Sequence, residues 1–331
     1  MHKDDEIFFS IIVPNYRTEA FLEQNLNSIK SQNFKNFECL LINDGSPGVN
    51  LEKFSLNQDE DFFHEVDLSD VPLKNQAKKI FDTTVGGDSR FKYFYKNQGG
   101  TADARNFAFT KMSGKYVICV DADDWILADH LEKLHKAIEA HKDKSYPIIC
   151  FLVYKFYNTP SPAINKRKRN ITLANMLYVP TLIEWNFAAS CDIVKKYNLK
   201  SDPRLGPGPV REDKIIKHGY DDLAFAWDYV DAVQKEIGKK NLFFYNTWQE
   251  TYMYRNINSF NKDRLKGDNA DYLFLKYMSQ KTRNHNDWQV RFASFLAPLH
   301  ANMINSKSYF VKFFLKKCIG FSLKLLTNFY F

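Results

Sequence analysis

Residues 116–125 read Tyr-Val-Ile-Cys-Val-Asp-Ala-Asp-Asp-Trp, an apolar run followed at once by three carboxylates. The apolar half is typical of a short buried strand, and Asp121, Asp123 and Asp124 stand together where that strand ends. Clustered carboxylates raise one another's pKa, and burial increases the free-energy cost of keeping them ionised. The cluster therefore predicts a divalent cation, a cationic ligand or open solvent at this position. Oxygen ligands at alternate positions suit Mg²⁺ or Mn²⁺, and they also suit a solvated surface turn.

The residues around this run alternate between two patterns, apolar stretches typical of strands and apolar residues at helical spacing. We predict strands over 8–14, 37–42, 91–95, 116–120 and 147–157, and helices over 19–31, 101–112 and 192–199. This alternation predicts an α/β fold with a mostly parallel sheet covered by helices on both faces. Such sheets bind ligands at the carboxyl ends of their strands, where the turn Asn43–Ser46 and the acidic cluster both fall.

The composition excludes a disordered chain, because hydrophobic residues make up 44% and aromatic residues 16% of the 331 residues. Cys39, Cys119 and Cys150 lie inside strand-like runs, where cysteine behaves as a small buried hydrophobe. The first residues have no signal-peptide pattern, and no apolar run is long enough to span a bilayer. We therefore expect a cytoplasmic protein with reduced thiols.

Two segments fall outside the regular pattern. The long connection over residues 47–90 predicts an insertion or a lid, with a decorative surface excursion as the alternative. The net charge of +7 is concentrated in part at Lys166–Arg169, which we interpret as a solvated loop. No zinc-ligand spacing or recognition-helix pattern accompanies these charges, so we expect no nucleic-acid partner.

Four motifs occur in the order and context of one family. Ser10–Tyr16 lies on the first strand, Phe37–Ser46 on the second, Asn97–Asn106 opens a helix, and Asp121–Trp125 follows the fourth strand. Together they resemble glycosyltransferase family 2, whose GT-A fold is a Rossmann-like sheet flanked by helices. That family transfers a sugar from a nucleotide donor, often a UDP-sugar, with inversion at the anomeric carbon and a divalent metal held by a DXD motif. Asn43 departs from the family, which has an acid at the first position of its Asp-Asp-Gly-Ser turn.

The resemblance implies a donor site built from these motifs. It gives Asp44 a hydrogen bond to uracil and Arg105 an approach to the diphosphate, with a surface ion pair as the alternative interpretation of Arg105. It places Mn²⁺ or Mg²⁺ on Asp123, with Asp121 and Asp124 as neighbouring candidates. The full set of residues that it assigns to the nucleotide sugar is Pro14, Tyr16, Asp44, Gly100, Arg105, Asp121 and Ala122.

Two segments compete for the catalytic base, Glu212–Asp213 and Asp221–Asp222. Inversion requires a carboxylate that takes the proton of the acceptor hydroxyl on the face opposite the leaving group. In the family, the base is the aspartate of an acidic pair followed after two residues by an aromatic one, and Asp222 with Phe225 reproduces that spacing. We therefore expect Asp222 to be the base with Asp221 beside it. Asp213 is the alternative, because it follows a segment that resembles the one preceding the family's pair.

The resemblance implies an inverting, metal-dependent glycosyltransferase (a hexosyltransferase). The acceptor would be a hydroxyl of a glycan or a lipid-linked acceptor, in the synthesis of a bacterial surface polysaccharide such as capsule or lipopolysaccharide. A sugar-phosphate nucleotidyltransferase is one alternative, but it needs a glycine-rich phosphate loop after the first strand, and residues 15–19 contain no glycine. A non-catalytic glycan-binding protein on the same scaffold is the other, and the acidic cluster weighs against it.

The resemblance thins out towards the C-terminus. We expect a GT-A-like catalytic domain over residues 1–260 and a C-terminal helical region over 261–331. The last segment, 306–331, combines lysines with many aromatic and aliphatic residues and has no acid. That pattern is typical of a helix lying on an anionic membrane surface, with docking on the protein's own core as the alternative. We expect peripheral association with the inner face of the plasma membrane.

Overall fold

The computed structural model describes residues 8–49, 75–156, 160–162, 172–177, 187–209, 212–216, 219–255 and 270–305. The predicted membrane segment at 306–331, the basic cluster at 166–169 and the middle of the 47–90 connection lie outside the described residues. Within the described part of the chain, no helix combines the length and apolar character needed to cross a bilayer.

Strands and helices alternate along the first half of the chain, as the sequence predicts. The strands are β1 (Phe9–Asn15), β2 (Phe37–Asp44), β3 (Phe91–Lys96), β4 (Tyr116–Cys119), β5 (Trp125–Ile126), β6 (Ile148–Phe156), β7 (Pro160–Pro162), β8 (Phe187–Ser190) and β9 (Phe244–Arg255). The α-helices are α1 (Glu19–Lys30), α2 (Gln76–Thr84), α3 (Thr101–Phe109), α4 (His130–Ala140), α5 (Leu173–Met176), α6 (Cys191–Lys196), α7 (Asp221–Ile237), α8 (Ala270–Thr282) and α9 (Trp288–Asn305).

The strands of the described residues form one sheet in the order β3-β2-β1-β4-β8-β6-β9-β5, with β7 paired to β6. The pairs among β1, β2, β3 and β4 are parallel, which confirms the predicted parallel arrangement for this part of the sheet. Beyond β4 the pairing is mixed, because β8 runs antiparallel to both β4 and β6 while β6 and β9 are parallel.

Helices cover both faces of the sheet, as predicted. Alternate residues of the buried strands point to opposite faces, so Ile11 and Val13 of β1 belong to one core and Ile12 belongs to the other. Helices α1, α2 and α4 pack on the first face, and α3 with α5 to α9 pack on the second. Helices α8 and α9 form the C-terminal helical extension. Helix α2 lies in the 47–90 connection, where the sequence pattern had not predicted a helix.

The parallel strands end at one edge of the sheet. Asn15 at the end of β1 pairs in register with Asn43 of β2, and Asp44 pairs with Lys96 of β3. Strand β4 lies on the other side of β1, so the order of the strands reverses there. In an open α/β sheet this reversal creates a crevice at the carboxyl ends of the strands, which is where ligands bind.

A buried carboxylate joins the sheet at the opposite end of these strands. Glu38 of β2 accepts hydrogen bonds from Ser10 Oγ at 2.6 Å, from Ser113 N at 2.6 Å and Oγ at 2.8 Å, and from Lys92 Nζ at 2.7 Å. Burial raises the pKa of Glu38, but the hydrogen bonds from Lys92, Ser10 and Ser113 outweigh it and leave the pKa below its ordinary value. Ionised Glu38 therefore stabilises the folded state.

We expect Glu38→Gln to lower the free energy of unfolding by about 1–3 kcal/mol at neutral pH, because an amide cannot accept all four bonds. A lowered pKa means that the contribution of Glu38 is present above its unfolded-state pKa and is lost as the pH falls through the folded-state pKa. The difference from the wild type should therefore shrink near about pH 3 in urea denaturation. The matched control is Asp82→Asn in the exposed Lys78–Asp82 pair, which should change stability by no more than about 0.5 kcal/mol. An equal deficit for Glu38→Gln at both pH values would contradict the prediction.

Candidate active site

The acidic loop, residues 121–124, is held by side chains from distant parts of the chain. Asn25 Nδ2 of α1 donates to the carbonyl oxygens of Asp121 at 3.0 Å and Asp124 at 2.9 Å. The Tyr252 hydroxyl donates to Asp124 Oδ2 at 2.7 Å and accepts from Asp121 N at 3.1 Å, and Arg255 N donates to Asp124 Oδ1 at 2.7 Å. These bonds hold the backbone of the loop in one conformation.

Asp124 is the buried carboxylate of the acidic loop. Burial raises the pKa of its carboxyl well above the ordinary value, and the charges of Asp123 and Asp121 add to that increase. Because both oxygens accept bonds from β9, Asp124 fastens the loop to that strand. Asp121 and Asp123 are only partly buried, and Ala122 between them is buried, so the two outer carboxylates share the more open side of the loop.

Arg255 packs under the acidic loop at the end of β9. Its guanidinium lies 4.4 Å from the centre of the Phe21 ring and 4.9 Å from that of Trp125, and its Nε donates to the carbonyl oxygen of Asp123 at 3.0 Å. Burial lowers the pKa of Arg255, against the opposing charges of Asp123 and Asp124. These contacts of Arg255 with the acidic loop are ones that the sequence did not predict.

A buried arginine joins the acidic loop to α7. Arg105 of α3 donates from Nη2 to Asp121 Oδ1 at 3.0 Å and from Nη1 to Asp221 Oδ2 at 2.8 Å. The side chains of Arg105 and Asp221 are 5% and 4% exposed, whereas that of Asp121 is 40% exposed. The interpretation of Arg105 as a surface ion pair is therefore wrong. In this arrangement the guanidinium orients two acids, and its contact with a diphosphate stays a prediction.

Asp221 and Asp222 occupy the first turn of α7, and they differ in environment. Burial raises the pKa of Asp221 to about 6, although the charge of Arg105 opposes this. Asp222 is partly exposed, and its Oδ1 accepts from the Leu223 amide at 2.8 Å. Asp213, the alternative base, is exposed on the loop 212–216, whose Ile216 amide donates to the carbonyl oxygen of Arg204.

The loop before α3 and the loop 203–209 meet backbone to backbone. Gly100 has φ of 94°, and a Cβ there would lie 2.4 Å from the carbonyl oxygen of Pro207. Gly206 has φ of 86°, and a Cβ there would lie 2.5 Å from Asp221 Oδ1. Because a side chain at either position would clash, glycine is what allows loop 203–209 to pack this closely on the Arg105–Asp221 pair.

Asp44, predicted to bind uracil, organises the loop that precedes α3. Its Oδ1 accepts from the Gly99 amide at 2.9 Å and from Lys96 Nζ at 2.6 Å, and its Oδ2 accepts from the Gly100 amide at 2.7 Å. Burial raises the pKa of Asp44, while Lys96 and the two amides oppose the increase. Each carboxylate oxygen has two lone pairs, so Oδ1 is fully used and Oδ2 can still accept one further bond, for example from a uracil N–H.

Pro14 and Tyr16, which the resemblance assigns to the nucleotide sugar, are partly buried at the end of β1. Arg17, which the sequence did not single out, has φ of 57°, donates its amide to Ser46 Oγ at 2.9 Å and places its guanidinium 5.4 Å from the centre of the Tyr16 ring. Asn43 Oδ1 accepts from the Ser46 amide at 2.9 Å. The asparagine that replaces the family's first acid therefore stabilises the turn itself.

The residues of the acidic loop can accommodate a hard cation only together with other ligands. Within the described ranges, no group of three or more His, Cys, Asp or Glu side chains is arranged to hold a metal. Asp121 and Asp123 supply carboxylate oxygens on the open side of the loop. Mg²⁺ is commonly held by one or two carboxylates together with substrate phosphates and water, so this donor set fits a metal that binds with a nucleotide diphosphate.

The fold and the acidic loop together define a GT-A type scaffold, and comparison with known proteins agrees. The model of "Glycosyl transferase family 2" matches residues 10–53 and 67–194, and the chain therefore belongs to glycosyl transferase family 2. The chain is also similar in fold to S. aureus TarS 1-349, whose crystal structure is in complex with UDP-GlcNAc. That likeness has a TM-score of 0.60 and 16% identity, and it covers 91% of this chain and 74% of that one.

Curated relatives are similar over part of the chain. Glycosyltransferase GlyA of Streptococcus pneumoniae is 34% identical over 135 residues, which cover 41% of this chain and 15% of GlyA. Minor teichoic acid biosynthesis protein GgaB of Bacillus subtilis is 28% identical over 138 residues, which cover 41% of this chain and 12% of GgaB. The matched region spans less than half the length of these relatives.

We expect Arg105→Met to lower the free energy of unfolding by about 3–5 kcal/mol, because it leaves Asp221 buried without its cation. Since the folded-state pKa of Asp221 is raised, its contribution to stability is fully present below the ordinary pKa and is lost as the pH rises through the folded-state value. Without the charge of Arg105, which opposes the increase, the pKa of Asp221 should rise further, so ionisation of Asp221 costs the variant more than the wild type. The deficit of Arg105→Met should therefore be larger at about pH 8 than at about pH 5 in urea denaturation.

Adding Asp221→Leu to Arg105→Met should restore part of the lost stability and remove the pH dependence of the deficit, because the carboxylate that Arg105 neutralised inside the protein is then gone. The control is Arg204→Met. The Arg204 side chain is 42% exposed and pairs with Asp202, so its loss should lower the free energy of unfolding by about 1 kcal/mol or less. A deficit for Arg105→Met no larger than that of the control would refute the assigned role of this ion pair.

Proposed function

We propose that the protein is an inverting, metal-dependent glycosyltransferase that moves a sugar from a UDP-sugar to a hydroxyl of a glycan or lipid-linked acceptor. The observation that carries the proposal is the Arg105 bridge, which joins Asp121 of the acidic loop to Asp221 at the start of α7. A candidate metal ligand and the direct neighbour of the candidate base Asp222 therefore belong to one connected network. Family membership supports the same reaction class.

The acidic loop is proposed to hold Mn²⁺ or Mg²⁺ through Asp123, with Asp121 next to it. When bound, the cation supplies Lewis-acid stabilisation of the charge that develops on the departing diphosphate. Asn25, Tyr252 and Arg255 keep the loop backbone fixed, so the two carboxylates need no rearrangement to meet the charge. Asp124, whose oxygens bond to β9, is assigned to the support of the loop and not to the metal.

Asp222 is proposed as the general base, and Asp221 as the residue that positions it. In the reaction, the Asp222 carboxylate takes the proton of the acceptor hydroxyl, the hydroxyl oxygen bonds to the anomeric carbon, and the bond from that carbon to the diphosphate oxygen breaks on the opposite face. The partial positive charge at the N-terminus of α7 stabilises the ionised form of Asp222, which is the form that accepts a proton. Asp213 lies on a separate exposed loop and remains the alternative.

A UDP-sugar is the proposed donor. TarS, to which the chain is similar in fold, has been crystallised with UDP-GlcNAc and with UDP, and this supports a uridine nucleotide. Pro14, Tyr16 and Asp44 lie at the edge of the sheet where the base would bind, and Gly100, Arg105, Asp121 and Ala122 lie at or next to the proposed diphosphate and ribose positions. The similarity to GgaB, a minor teichoic acid biosynthesis protein, supports a surface polysaccharide as the product.

The rival functions have less support. A sugar-phosphate nucleotidyltransferase would have to use a turn without glycine after β1 as its phosphate loop. The acidic cluster weighs against a non-catalytic glycan-binding protein. We further propose peripheral attachment to the inner face of the plasma membrane through residues 306–331, whose sequence is basic and aromatic.

Metal dependence can be tested by following UDP release from a panel of UDP-sugars. We expect release with Mn²⁺ and no release with excess chelator, because Asp123 and the diphosphate would share the cation. Asp123→Asn should lower turnover by about a hundredfold or more, whereas the exposed surface variant Asp82→Asn should not change it. Full turnover in chelator would contradict the metal role of Asp123.

The choice of base can be tested with Asp222→Asn and Asp213→Asn as a matched pair. We expect Asp222→Asn to lower kcat by about a hundredfold or more with donor affinity almost unchanged, because only proton transfer is lost. Asp213→Asn should keep most of the activity. The assignment is reversed if Asp213→Asn is inactive and Asp222→Asn turns over normally.

A further inference from the structure

We propose that the outward face of α9 is a docking surface for an anionic lipid bilayer. This surface, called here the aromatic face, consists of Trp288, Phe292 and Phe295, which are 55%, 38% and 71% exposed. Their spacing of four and then three residues places them along one side of the helix, one above the other. Three large aromatic side chains in a row form an apolar patch of the kind that marks an interaction site.

The other side of α9 explains why the helix is held in this orientation. Val290, Ala293 and Leu296 are buried in the same core as Phe274 and Met278 of α8. The Ser294 hydroxyl and the Thr282 hydroxyl are hydrogen-bonded to each other between the two helices, and Ser279 Oγ donates to the carbonyl oxygen of Ser294 at 2.7 Å. In the part of the chain that the structure describes, the face of α9 that carries Val290, Ala293 and Leu296 is therefore the packed one, and the aromatic face is exposed.

Charge decides which occupant suits the aromatic face. From Trp288 to the last residue the chain has six lysines and arginines and no aspartate or glutamate. Arg291 is exposed beside the aromatic face and is held there by bonds from Nη1 to the carbonyl oxygens of His285 at 2.7 Å and Asn286 at 2.8 Å. Positive charge next to aromatic side chains is the composition of surfaces that lie in the headgroup region of anionic bilayers.

Repulsion between like charges disfavours two other partners for the aromatic face, a second copy of this protein and the segment 306–331. A second copy of the aromatic face would bring its own Arg291 against the first, and the segment 306–331 would bring five lysines. An anionic lipid surface complements both the aromatic side chains and the arginine. The inference extends the peripheral attachment proposed above by adding a contact on the folded protein, and it does not depend on the transfer reaction.

The first experiment is co-sedimentation of the full chain with vesicles of phosphatidylglycerol mixed with phosphatidylcholine, and with vesicles of phosphatidylcholine alone. We expect the wild type to bind the anionic vesicles and the variant W288Q/F292Q/F295Q to bind at least about tenfold more weakly, because three apolar side chains no longer enter the interface. The control is Y245Q, which removes an aromatic residue that is 36% exposed on β9 and should bind like the wild type.

The second experiment reports on contact directly. Tryptophan emission is recorded with vesicles whose acyl chains carry bromine, which quenches nearby indoles. The wild type should be quenched, and W288F should still sediment but lose the quenched component. Among the described residues, the other tryptophans are Trp125 of β5, Trp227 of α7 and Trp248 of β9, and none of them lies on α9. If the segment 306–331 alone made the contact, W288F would show the same quenching as the wild type.

Three results would overturn the proposal. One is equal binding of the wild type and the triple variant to anionic vesicles, and another is the absence of wild-type binding. The third is a wild-type dimer in solution that the triple variant abolishes, which would assign the aromatic face to a second copy. UDP release measured without vesicles should be the same in the wild type and the triple variant, so a protein that binds lipid but transfers no sugar would refute the proposed reaction and leave this inference intact.

Discussion

The site depends on the burial of one guanidinium. Arg105 is 5% exposed in its side chain, and a charge removed from water in this way is tolerated only when it is paired and hydrogen-bonded. Its two partners come from elements far apart in sequence, Asp121 after β4 and Asp221 at the start of α7. The positions of α3, the acidic loop and α7 are therefore mutually constrained, and a displacement of any one of them would leave a buried charge without its counterpart.

In the proposed reaction, this constraint has a chemical use. Asp121 gives one oxygen to Arg105 and keeps 40% of its side chain exposed, so it connects the buried network to the open crevice. Asp222 stands next to Asp221 but is partly exposed, and its surroundings suit proton transfer better than those of its buried neighbour. Preorganised charges reduce the cost of reorganisation during a reaction, and the contacts of Asn25 and Tyr252 extend that rigidity to the backbone of the acidic loop.

Much of the N-terminal half could be predicted from local pattern. The apolar runs at β1, β2, β3 and β4 were predicted to within a few residues, because strands buried on both faces leave a continuous hydrophobic signature. Helix α2 was missed inside a long polar connection, and the mixed pairing around β8 was not anticipated from a pattern of alternating strands and helices. Antiparallel additions to a parallel sheet depend on which strand edges remain open, and that is a property of the assembled sheet.

The sequence by itself determined the family, the order of its motifs and the residue types available at the carboxyl edge of the sheet, because those follow from short runs of neighbouring residues. Only the tertiary structure decided which of these residues are buried and which partners each of them binds. It buried Asp124 and Asp221, assigned Asp44 to the amides of Gly99 and Gly100, and made Arg105 a bridge between two acids. Burial and pairing are set by contacts between segments that lie up to 231 residues apart, as from Gln24 to Arg255, and such contacts exist only once the sheet has closed around its cores.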